Sequence, residues 1–130
     1  MQKALGLIEA QGLTTAVTAL DAASKAADVT LIGIEKVIGV GKGVGVTIQL
    51  AGEVAAVRAA VDAGVLAGNR VGVIIASHVM PRPHDEVDIL INKFAKNLKE
   101  KVAVVEELKE EAKIVKKTVE KKNNTIKEEK

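Results

Sequence analysis

The segment Gly39-Val-Gly-Lys-Gly43 sets one cation, Lys42, among glycines at positions 39, 41, 43 and 45. A glycine-rich backbone can take φ > 0 and be approached closely, so with a lysine it could cradle a phosphate. The spacing argues otherwise. It is not GxxxxGK[ST], Gly43 stands in the hydroxyl position, and a strand-like run follows where a phosphate loop needs a helix N-terminus. Two readings remain for Gly39, Val40, Gly41, Lys42 and Gly43: a slack hairpin tip with Lys42 in solvent, or a place where something passes near the backbone. His78 and His84 flank a proline turn, and only Asp85 and Glu86 could join them. A metal centre needs more ligands than that, so both are read as structural or surface residues. Glu53 and Asp62 have no paired acid, and no nucleophile–base arrangement is present. No catalytic residue, metal or cofactor is expected.

The elements that must position these residues come from an apolar, almost non-aromatic chain. Of 130 residues 48% are hydrophobic, Phe94 is the one aromatic, and there is no cysteine. Disulfides, zinc–thiolate sites, iron–sulfur clusters and thiol catalysis are excluded, and stacking platforms for single-stranded nucleic acid are absent. Residues 1–80 carry six basic and six acidic groups; from His84 onward there are twelve basic and eleven acidic. Neither part has the single-sign excess of a nucleic-acid binder. No apolar run reaches the roughly 20 residues that span a bilayer, and the first residues show no signal-peptide pattern. These observations predict a cytoplasmic protein with no membrane or nucleic-acid partner.

Taken in order, Leu5–Ala10 reads as a strand and Leu13–Ala27 as a helix, with Leu13, Val17, Leu20, Ser24 and Ala27 at helical spacing. Val29–Ile34 and Val44–Leu50 read as strands forming a hairpin with an extended tip. Val54 to about Ala67 reads as a helix with Val54, Val57, Val61 and Val65 on one face, stopped at Gly68-Asn69. Val71–Val79 is the last strand, ended by Pro81 and Pro83. The order β-α-β-β-α-β gives an α+β class: a ferredoxin-like antiparallel sheet with two helices on one face. The bare face must be solvated or covered by other subunits, and strands apolar on both faces predict an oligomer.

From about residue 91 the pattern changes. Ile91, Leu98, Val105, Ala112 and Val119 recur every seven residues, with Phe94, Leu108 and Val115 on the companion positions. This is the a/d stripe of a helix that packs on another helix, flawed by Lys101 and Lys122 at d and by Val102, Val104 and Ile114 lying off it. A helix from Asp85 to about Lys122 would be on the order of 57 Å long, with a frayed segment from Thr125. The division is residues 1–90 as the domain and 91–130 as an amphipathic helical extension.

With these parts in place, about residues 2–90 resemble the single-domain, hexamer-forming shell proteins of bacterial microcompartments. The resemblance rests on Ala4-Leu-Gly-Leu-Ile-Glu9, Asp21-Ala-Ala-Ser-Lys-Ala-Ala27 before Val29-Thr-Leu-Ile-Gly33, and Glu35-Lys36 before the glycines. It continues in Gly52-Glu-Val-Ala-Ala-Val-Arg-Ala-Ala-Val-Asp-Ala-Gly64 and His78-Val-Met-Pro-Arg-Pro-His84. It implies a structural, non-enzymatic subunit of a microcompartment shell. That subunit would form cyclic homo-hexamers that tile into sheets with other shell proteins, around a central pore for small metabolites. By resemblance, Gly39–Gly43 line the pore, and Lys25 and Arg82 make the hexamer–hexamer edge. The segment between Glu35-Lys36 and Gly52-Glu53 is longer than the family's usual short turn, and most simple members lack so long a tail. That tail is read as packing on the shell, pairing with other tails, or hooking enclosed enzymes. The competing function is a ferredoxin-like regulatory module binding a nucleotide or small effector at Gly39–Gly45. It would show saturable effector binding and stay a discrete oligomer.

Overall fold

The computed structural model describes residues 3–40 and 42–128. Seven elements follow in order: β1 (Ala4–Gln11), α1 (Leu13–Ala26), β2 (Val29–Val40), β3 (Gly43–Gly52), α2 (Val54–Val71), β4 (Ile74–Met80) and α3 (Asp85–Glu128). The strands form one antiparallel sheet in the order β2-β3-β1-β4. This is the ferredoxin-like arrangement expected from the β-α-β-β-α-β order. The chain divides into two compact units, Met1–Lys96 and Asn97–Lys130.

Side-chain alternation along β1 and β3 separates two faces. Ala4, Ile8 and Ala10 of β1 join Val46 and Ile48 of β3 in a core with Ala16 and Ala19 of α1 and Val57 and Val61 of α2. α1 and α2 therefore cover this face. They approach closely because their contact is built from small residues: Gly64 packs where a Cβ would lie 2.7 Å from Ile8 Cδ1 and 2.9 Å from the Ala19 carbonyl. The buried face of α1 is Thr15, Ala16, Ala19 and Ala23, while Leu13 and Val17 are each 49% exposed. The larger residues that mark the helical period in the sequence thus lie partly outward. α2 differs from expectation in the same way. Val54 is exposed at its first position, and Ala60, Gly64 and Gly68 are buried beside Val57 and Val61. Gly68-Asn69 is not the helix stop. Gly68 makes room for Ile74, the Ile74 N–H donates to Asn69 Oδ1 at 3.2 Å, and the helix closes at Gly72, whose N–H donates to the Gly68 carbonyl.

The second face was expected to be bare or covered by other subunits. Within the first unit it is partly covered by the chain itself: Val87 and Ile91 from the first turns of α3 pack with Leu5, Ile32, Ala51, Leu7 and Met80. Gln49 lies on this face, 4% exposed, and its Oε1 has no hydrogen-bond partner among the described residues. Gly33 faces it, and a Cβ there would collide with the Gln49 side chain and press on Phe94.

α3 starts where His84 caps it. The Glu86 N–H donates to His84 Nδ1 at 3.3 Å, and the His84 carbonyl accepts from Val87 and Asp88. Asp85, Glu86 and Asp88 place negative charge in the first turn, where the helix dipole favours it. With no glycine or proline after Pro83, the helix continues past Lys122 to Glu128. The segment expected to fray is helical as far as the described residues reach.

Candidate pore hairpin and edge residues

The glycine segment is mostly not a loop. β2 continues through Glu35 and Lys36 to Val40, and β3 begins at Gly43. Cross-strand partners continue to the end: Lys36 with Val46, Val37 with Gly45, Ile38 with Val44 and Val40 with Gly43. Only positions 41 and 42 remain for the turn, and Gly41 lies outside the described residues. Lys42 takes φ 63, a left-handed conformation that a lysine adopts only when the turn demands it. Gly39 takes φ 93, where the register shifts between Ile38 and Val40. That is a β-bulge, and it bends the ribbon near its tip.

The other glycines have a packing reason. Beside Gly43 lies the Gln11 side chain; beside Gly45 lie Val40 and a Glu9 carboxylate oxygen, each 3.0–3.3 Å from where a Cβ would stand, so a side chain at either glycine would push its neighbour back by a few tenths of an ångström. Lys42 is exposed, and Ile38 just before the bulge is 89% exposed. After the turn the chain enters β3 and not a helix, so a phosphate would find no helix N-terminus here.

Lys25 sits in the last turn of α1 and donates from Nζ to Asp21 Oδ2 at 2.7 Å, with both side chains largely in water. Such an i,i+4 pair is worth about 0.3–0.5 kcal/mol, so little holds Lys25 in that rotamer. Arg82 lies exposed between exposed Pro81 and buried Pro83. The register relates these residues to the hairpin. Val29, Gly52, Ala4 and the Leu5–Met80 pair mark one end of the sheet; Val40–Gly43, Gln11 and Ile74 mark the other. α1 starts at the hairpin end and finishes, with Lys25, at the opposite end; Arg82 follows β4 at that same opposite end. The hairpin tip and the Lys25–Arg82 region are therefore separated by the length of β3, roughly 30 Å at strand rise.

His78 is exposed on β4 and paired with Leu7, while His84 is committed to the α3 cap. Among the described residues no group of three or more His, Cys, Asp or Glu is placed to hold a metal ion. Sequence reasoning missed the His84 cap. Its signal was a polar residue between Pro83 and the acidic Asp85-Glu86 start of a helical period. It also missed the exposed apolar residues around the sheet corner at the hairpin end. There Gln11 donates to the Val73 carbonyl and Gly12 to the Val44 carbonyl, and Leu13, Val44 and Val73 are all exposed. No helix of the described residues is long and apolar enough to cross a membrane.

Comparison with known proteins bears on this arrangement. The bacterial microcompartment shell protein PduA of Citrobacter freundii is 48% identical over 92 residues, 71% of this chain and 95% of the relative. The shell protein EutM of Escherichia coli (strain K12) is 43% identical over 86 residues, 66% of this chain and 84% of the relative. The crystal structure of a microcompartments protein from Desulfitobacterium hafniense DCB superposes with a TM-score of 0.59 at 36% identity. That match covers 68% of this chain and 48% of the other, so this chain spans about half of that one. The BMC domain family matches residues 4–83. The chain belongs to the BMC domain family, and it is a structural subunit of a bacterial microcompartment shell.

Proposed function

We propose that residues 1–90 form the shell unit of a cyclic homo-hexamer, with the β2–β3 hairpins of six copies around the axis and the Lys25–Arg82 ends at the rim. The hexamers tile into sheets, alone or with other shell proteins. Small metabolites pass the opening bounded by Gly39–Gly43. The observation that carries this reading is the placement of the hairpin tip and the Lys25–Arg82 region at opposite ends of one sheet. A flat ring needs its lining at one end of the subunit and its lateral contacts at the other.

The exposed apolar residues Leu13, Val44 and Val73 at the hairpin end support packing between neighbours close to the axis, where solvent exposure of such residues is otherwise costly. At the rim, the planar guanidinium fork of Arg82 suits a neighbour's backbone carbonyls. Around the axis, six copies of Lys42, each at the turn between two paired strands, make a ring of positive potential that attracts anions. The test of selectivity is passage of a charged metabolite through assembled shells. Lys42→Glu should lower the flux of an anion relative to a neutral molecule of the same size; an unchanged ratio would show that Lys42 does not set it.

A further inference from the structure

We infer that residues 105–119 of α3 pair in parallel and in register with the same segment of a second copy of this chain, as a short coiled coil. Between Lys101 and Lys122 the core positions run without interruption: Val105, Leu108, Ala112, Val115 and Val119. Their larger side chains are 47–60% exposed in the single chain. Val102 and Val104, also about half exposed, widen the stripe at its start. A helix this long that keeps an apolar stripe in water, with mostly charged residues and exposed Ile114 on its other sides, is stabilised by a partner helix. β-Branched Val105 and Val119 at a with Leu108 at d favour two parallel strands, and Ala112 at a and Val115 at d depart from that pattern. The lysines at d close the seam at both ends. A shift of one heptad would set Lys101 or Lys122 against the apolar layers, so the unshifted register keeps the longest seam.

The flanking charges choose the occupant and its direction. Glu111 is at a g position and Lys116 at the e position five residues on, so two parallel copies form two Glu111–Lys116 pairs across the seam. An antiparallel pair would instead face e with e, bringing Lys109 and Lys116 of one copy toward those of the other. Glu111 has no lysine of its own helix within reach: positions 107, 108, 114 and 115 are Glu, Leu, Ile and Val. At the next g positions, Thr118 and Thr125 donate their hydroxyls to the Ile114 and Lys121 carbonyls, 2.9 Å each. Their polar groups are thus satisfied within the helix.

The pairing does not depend on the ring, and its test reads both separately. The chain has no cysteine, so single substitutions in the full chain report contacts directly. Under mild oxidation Leu108→Cys and Val119→Cys should each give a disulfide-linked dimer, while Glu110→Cys on the outer face should give little. Only a parallel, in-register pair lets two separate positions each meet their own copy; an antiparallel pair allows one. In the Leu108→Cys background, Glu111→Lys should lower the yield by about tenfold and Glu111→Lys with Lys116→Glu should restore it, since each exchange turns attraction into repulsion at both pairs. Crosslinking at one position only, at neither, or equally at Glu110→Cys would overturn the pairing. So would indifference to charge reversal, or crosslinking that appears only once an enclosed enzyme is added. Negative-stain images of the same samples show whether rings persist, so the loss of tail pairing is distinguished from the loss of the ring.

Discussion

His84, Gly64 and Gln49 show what single residues contribute to this subunit. His84 satisfies one of the free N–H groups at the start of α3. His84→Ala should therefore cost about 1 kcal/mol, read as a lower denaturation midpoint, whereas His84→Asn, which can also cap, should lose little. Gly64 has no room for a side chain against Ile8 and Ala19. Gly64→Val should lower stability by about 1–3 kcal/mol, measured by chemical denaturation. Gln49 carries a buried acceptor without a partner among the described residues, and an unmade hydrogen bond costs more than an absent one. Gln49→Met should raise the melting temperature; a fall would mean that Oε1 has a partner in the assembled state. The His84 cap left a signal in the sequence that was passed over; the roles of Gly64 and Gln49 left none. A glycine or glutamine in a strand or helix pattern gives no sign of what will lie against it.

At the scale of elements, most of what was legible followed from periodicity. The four strands, the two helices and their order are visible because alternation and the helical repeat are strong in this chain, with prolines marking the end of β4. The faces were less legible. In α1 and α2 the close contact is made by Ala and Gly, so the larger valines and leucines that dominate the helical repeat are partly displaced from the core. The glycine segment was misjudged as an extended tip, because glycine is depleted in strands and alternate glycines look like slack. Here they accept Gln11, Glu9 and Val40 from neighbouring positions, and the ladder runs on to Val40 and Gly43. The position of Lys42 at the turn was legible; its left-handed backbone was not. α3 was legible as a helix but not as a cover for the sheet, since Val87 and Ile91 reveal their partners Leu5, Ile32 and Ala51 only once the strands are aligned. A chain ending at Lys96 should keep the melting temperature of its first unit. One ending at His84 should expose that face and aggregate, as followed by light scattering on heating.

At the scale of the molecule, the balanced charge, the single aromatic and the absence of cysteine suit a subunit whose work is assembly. Its family membership, its opposed hairpin and Lys25–Arg82 ends, and its exposed apolar corner support a ring in which position, not catalysis, determines what passes. The measurement that tests this most directly is negative-stain electron microscopy of the purified full chain, with native mass determined on the dispersed particles. The account predicts six-fold rings of six times the 13.6 kDa chain mass, alone or extended into sheets or tubes. A discrete dimer or trimer at every salt concentration, for the full chain and for a chain ending at Lys96 alike, would contradict it.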